Sequence, residues 1–133
     1  MTLSAEDRVA VTDLINRHGH LTDHGELDRW SELFTPDVVF DLTGMGGRVL
    51  TGLAALRDVT SAMAGEHPVA HHVTNIVLDE TADDHVRALS KGIGVMADGT
   101  TGSVTYDDTI VRGDQGWRIS RRVIRARRAP LTP

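Results

Sequence analysis

The chain has 133 residues, 40% of them hydrophobic, no cysteine and a formal net charge of −5. That length fits one domain over 1–133, large enough to bury roughly two-thirds of its unfolded surface without disulfide staples. The acidic balance disfavours a nucleic-acid partner, which needs a basic field. The first residues lack the basic-then-apolar pattern of a signal peptide, and no apolar stretch reaches membrane-spanning length, so a cytoplasmic protein without a membrane partner is expected.

Ser4 followed by Asp7 opens a first helix. Val11, Leu14, Ile15, His18 and Leu21 recur at helical spacing and form its buried stripe, and the helix ends near Gly25. A short second helix is expected from Leu27 to Phe34, then a turn at Thr35-Pro36-Asp37. Val38 to Leu42 reads as a first strand, Gly44 to Gly47 as a loop, and Arg48 to Thr51 as a short second strand. A third helix starts at Thr51 or Gly52, carries Leu53, Leu56 and Met63 inward, and stops at Gly65-Glu-His-Pro68. Strands follow at about 71–78, 85–97, 103–112 and 117–126, separated by turn-type residues at 79–84, 98–102 and 113–116. Helices first and antiparallel strands last make an α+β domain.

Several segments recur together: Leu14-Ile-Asn-Arg17, Asp23-x-Gly25-Glu26, Trp30-x-x-Leu-Phe-Thr-Pro-Asp37, Gly52, His72-Val-x-Asn75, Tyr106-x-Asp108 and Gly116-Trp-Arg-Ile119. In order and spacing this set resembles the SnoaL-like family of the nuclear transport factor 2-like superfamily, over about residues 10–123. The dehydratases of scytalone and bile acids, and the ketosteroid isomerases, are its relevant branches. The resemblance implies a cone-shaped, strongly curved sheet packed on N-terminal helices around a pocket. It also implies cofactor-free acid–base chemistry and pairing as a homodimer.

The resemblance places Asp23 and His72 as the catalytic pair. A carboxylate touching an imidazole is a general acid–base unit, typically worth ~10²–10⁴ in rate. Alternation along 71–78 does not by itself say whether His71 or His72 faces inward, since both faces are mostly apolar. His18 stands where relatives often carry a tyrosine, Leu42 where another pocket tyrosine or an isomerase base is expected, and Met96 near a second pocket histidine. His18, Tyr106 and Asp108 are expected to bind substrate oxygens, Asp108 also matching the base of the cyclase branch. Phe40, Leu42, Met63 and Met96 are expected as apolar wall.

His20 and His24, one turn apart, are expected in solvent, with a metal site formed with a nearby acid as the alternative, though the His-Glu-x-x-His pattern is missing; no phosphate loop is present, and no metal or other cofactor is expected. The arginines at 118, 121, 122, 125, 127 and 128 read first as a solvated face, with an anion site as the alternative. The expected function is dehydration, isomerisation or cyclisation of a small apolar oxygenated molecule, such as a polyketide- or steroid-like ketone or hydroxyketone. The alternatives are a non-catalytic binding or assembly domain, and the small subunit of a ring-hydroxylating dioxygenase.

Overall fold

The computed structural model describes residues 3–82 and 84–132; one residue of the turn expected at 79–84, residue 83, lies outside them. Helix α1 spans Ala5–Asp23, and Ser4 caps it by accepting the Asp7 amide at 3.0 Å. A 3₁₀ helix, Leu27–Glu32, replaces the longer second helix expected from the sequence. Strand β1 runs Phe34–Gly44, β2 Val49–Thr51 and α2 Leu53–Ala62, followed by β3 Ala70–Ala82, β4 His85–Val95, β5 Thr101–Gly113 and β6 Gly116–Arg127.

Strand β1 begins four residues earlier than expected and takes in Thr35-Pro36-Asp37. It tolerates Pro36 because its register with β6 shifts between Phe34 and Val39, and proline is admitted to strands at such irregularities. The six strands form one sheet in the order β2-β1-β6-β5-β4-β3. Four of the five pairings are antiparallel; β1 and β6 are parallel, a pairing that strand-by-strand reading does not reveal. The mixed α+β architecture, a six-stranded sheet with the main helix ahead of it, is the one anticipated.

The core lies between the helices and the inner sheet face. It joins Val11, Leu14 and Ile15 of α1 to Phe34, Val38 and Phe40 of β1, Val86 of β4, Ile110 of β5 and Ile119 of β6. Two irregularities decide which side chains reach it. In β3 the pairing with β4 shifts between Thr74 and Val77, and Asn75 adopts φ 58°. The extra residue reverses the alternation, so Val73 packs inward before the bulge, and Ile76 and Leu78 after it. In β6, Ile119 pairs with Ile110 and Arg121 with Thr109, which leaves Ser120 as the extra residue. Trp117 and Ile119 are buried before that point, Arg122 and Ile124 after it.

Candidate active site

A cavity of about 490 Å³ opens between the helices and the inner sheet face. Its wall takes His18 and Thr22 from α1, Trp30 from the 3₁₀ helix, Phe40 and Leu42 from β1, Val59 and Thr60 from α2, His71 from β3, Tyr106 from β5 and Ile124 from β6. Met63 and Met96 also line it, together with Leu50 and Leu56, although Met63 caps the end of α2 and is 46% exposed rather than carried inward. Volume and lining suit a small, largely apolar ligand held by a few polar groups.

Asp23 is the last residue of α1. Gly19, one turn earlier, lets the helix lie close on β3, because a Cβ there would stand 3.0 Å from the His71 carbonyl oxygen. The Asp23 carboxylate then grips β3 twice, accepting the His71 backbone N–H at 2.9 Å and meeting the His71 ring Nδ1 at 2.5 Å. Although the backbone at Asp23 is exposed, its side chain is only 19% exposed and that of His71 16%.

This corrects the sequence expectation for His72. The family resemblance selected His72, but its residue is exposed on the opposite face of β3 and does not line the cavity; its neighbour His71 does. A carboxylate only accepts, so a neutral His71 carries its proton on Nδ1 and leaves a lone pair on Nε2.

His18 is also in the cavity wall, buried on α1 just before the Gly19 contact with His71. The rings of Trp30 and Phe34 lie 5.4 Å from it, centroid to centroid, and that of Phe40 lies 6.5 Å away. Arg122 Nη1 meets His18 Nδ1 at 3.0 Å. Burial above all, with the Arg122 charge second and those of His71 and His67 behind it, holds the His18 pKa well below that of a free imidazole.

Arg122 is itself fully buried, against its reading as part of a solvated face. Asp108 holds it in a two-pronged ion pair, Nε to Oδ1 at 2.7 Å and Nη2 to Oδ2 at 2.8 Å. Its guanidinium also lies 4.4 Å over the Tyr106 ring. Asp108 is therefore no oxygen ligand or base in the cavity: it is absent from the wall, and both its oxygens are committed to Arg122. Tyr106 does reach the cavity, and burial raises its pKa, so the phenol stays protonated at neutral pH. Gly92 on β4 leaves room for it, since a Cβ there would fall 2.4 Å from the ring.

His67 also lines the cavity, its ring centroid 6.4 Å from that of His71. Its pKa is lowered, by partial burial first and by the His71 charge second. The only sequence signal at His67 was the helix stop before Pro68, which says nothing of a pocket. His20 and His24 are exposed, and no cluster of metal-ligating side chains occurs among the described residues.

The SnoaL-like domain model matches residues 3–123. The chain belongs to the SnoaL-like family. An uncharacterised protein of Mycobacterium tuberculosis is 29% identical to this SnoaL-like chain over 123 residues, covering 88% of this chain and 83% of the other. Among solved structures, a protein of Novosphingobium aromaticivorans provisionally named an aromatic ring hydroxylase superposes with a TM-score of 0.79 at 28% identity, covering 96% of this chain and 94% of that one. A second protein of the same organism, provisionally named a scytalone dehydratase, superposes with a TM-score of 0.75 at 17% identity, covering 94% and 89%, a likeness of fold. Among the described residues no helix is long and apolar enough to cross a membrane.

Proposed function

We propose that the protein is a cofactor-free acid–base enzyme of dehydratase type, acting on a small apolar β-hydroxyketone. The observation that carries this reading is the Asp23–His71 contact of 2.5 Å at the wall of a largely apolar cavity. A histidine oriented by a carboxylate on one nitrogen is free to accept a proton on the other. His71 Nε2 takes the proton from the carbon next to the carbonyl. The electron pair moves to the carbonyl oxygen as an enolate. Collapse of the enolate forms the carbon–carbon double bond and expels the β-hydroxyl, which leaves as water with the proton returned by His71. Asp23 stabilises the imidazolium between these two transfers. Isomerisation and cyclisation pass through the same enolate and use the same groups.

A panel of cyclic β-hydroxyketones incubated with the protein tests this, read by mass spectrometry for loss of one water and by absorbance of the enone. Exchange of the α-hydrogen in D₂O reports enolisation even where water is not lost. His71→Ala and Asp23→Asn should each lower the rate by ~10²–10⁴, the usual worth of such a group. Unchanged rates in both variants would sink the proposal. A non-catalytic binding domain is the second reading, favoured by the scarcity of polar groups in the wall. It expects ligand retention without exchange or water loss.

A further inference from the structure

His18 and His71 share one cavity, but opposite partners hold them. A carboxylate meets Nδ1 of His71, while a guanidinium meets Nδ1 of His18. A guanidinium has five N–H donors and no acceptor. At 3.0 Å, Arg122 can only donate, so Nδ1 of His18 must present its lone pair and the ring proton must sit on Nε2. That Nε2 has no partner among the described residues, and it is not one of the sealed, unpaired side-chain atoms.

We propose that Arg122 locks His18 as the Nε2–H tautomer, making it a fixed hydrogen-bond donor that recognises the carbonyl oxygen of a substrate held in the cavity it shares with the proton-accepting His71. Asp108 and Arg122 are then positioning residues, and the substrate class narrows to compounds that present a carbonyl oxygen to the His18 side of the cavity.

Three features make the donor permanent. Trp30, Phe34 and Phe40 surround the ring and restrict its turning. Arg122 is anchored by both oxygens of Asp108, so it cannot yield its place to a carboxylate or water. The groups that face His18 from the packed elements are Arg122 on β6, with Asp108 of β5 behind it, and His71 on β3 and His67 before it; Arg122 opposes a positive imidazole, and His71 and His67 do so whenever they are themselves protonated. A neutral imidazole donating to a carbonyl stabilises an enolate without giving its proton away, which separates the electrophile from the base. The two environments thus assign different tasks to two side chains of one type.

The inference rests on the proton-transfer reading only for what the bound oxygen becomes, and its test involves no turnover. In ¹⁵N-labelled protein, His18 should show an unprotonated Nδ1 and a protonated Nε2, unchanged from pH 8 to pH 5. A protonated Nδ1, or a ring that titrates in that range, overturns the proposal. The second arm compares binding of α-tetralone with that of tetralin, the same skeleton without the oxygen. The unchanged protein should favour the ketone by about three- to tenfold, the worth of one net hydrogen bond. His18→Asn keeps an acceptor near the Nδ1 position for Arg122 but loses the Nε2 donor, and it should abolish the preference. His18→Gln restores a donor near Nε2 and should recover part of it. Equal affinity for the two compounds, binding of neither, or a preference that survives His18→Asn each overturn the proposal. A protein that passes both arms but turns nothing over refutes the catalytic reading alone. One whose turnover needs His71 while failing these arms refutes the His18 role alone.

Discussion

At the residue scale the site rests on two histidines and the groups that hold them. His71 carries the larger kinetic prediction. The double variant of Asp23→Asn and His71→Ala should be little worse than the poorer single, because groups that act as a unit are not additive. His72→Ala, on the outer face, should stay within a few-fold of the unchanged protein, and a loss as large as that of His71→Ala would show that the wrong histidine has been assigned. His18 makes a separate prediction about pH. Its pKa is depressed in the folded state from 6.5, so the folded state binds fewer protons than the unfolded chain below that value. Its contribution to stability is therefore fully present above pH 6.5 and is lost as pH falls from there toward the folded value. The slope for one such group is at most about 1.4 kcal/mol per pH unit. Urea unfolding at pH 7.5 and pH 5.5 should show the protein weaker at the lower pH, and His18→Asn should flatten the dependence. The partly buried His67 shifts in the same direction and contributes to any slope that remains. The Arg122–Asp108 pair sets a third expectation: Arg122→Met alone strands a buried carboxylate and should cost ~3–5 kcal/mol, whereas adding Asp108→Leu should recover much of that loss.

At the element scale, two bulges explain what the sequence left hidden. The strands themselves were legible from their alternation and from the turn residues between them. The choice between His71 and His72 was not, because alternation across 71–78 assumes an unbroken strand. Counted straight, His71 shares a face with Val73, Asn75 and Val77; counted through the bulge at Asn75, the same face continues into Ile76 and Leu78. The inward set is then wholly apolar apart from His71, the pattern a cavity-facing strand requires. Arg122 was obscured in the same way. Counting on from Trp117 and Ile119 puts Arg121 inside and Arg122 outside; the extra Ser120 reverses this, leaving Arg121 exposed and Arg122 in the core. Each bulge adds one residue that no short-range pattern marks, yet each decides which side chain reaches the site. The Asn75 position is open to measurement. Glycine adopts its positive φ without strain, so Asn75→Gly should keep both stability and the His71 contact. Asn75→Val should lower the urea midpoint by an amount equivalent to ~1–3 kcal/mol, the cost of a strained backbone residue. An unaltered midpoint for Asn75→Val would mean that the bulge relaxes elsewhere.

At the scale of the whole molecule, the order of elements and the family resemblance gave the α+β fold, while the parallel joining of the first long strand to the last has no local signature. The outer sheet face raises the remaining question. Val77 on β3 pairs with Leu89 on β4 and Ile93 lies farther along β4; all three are exposed, at 55%, 37% and 43%. Lys91 stands between Leu89 and Ile93 on the same face, so the patch is mixed, and covering it would take three exposed apolar side chains out of water. The sheet face is also where a second copy could bury an area in the usual range of ~1,200–2,000 Å². The expected state is a homodimer through this face, sedimenting at micromolar concentration with twice the 14.5 kDa chain mass. Leu89→Asp places a charge in the row without touching the cavity, so it should yield monomers whose thermal midpoint depends less on protein concentration. A monomeric unchanged protein refutes the dimer outright. A dimer that survives Leu89→Asp places the contact on another face and leaves Val77, Leu89 and Ile93 unexplained.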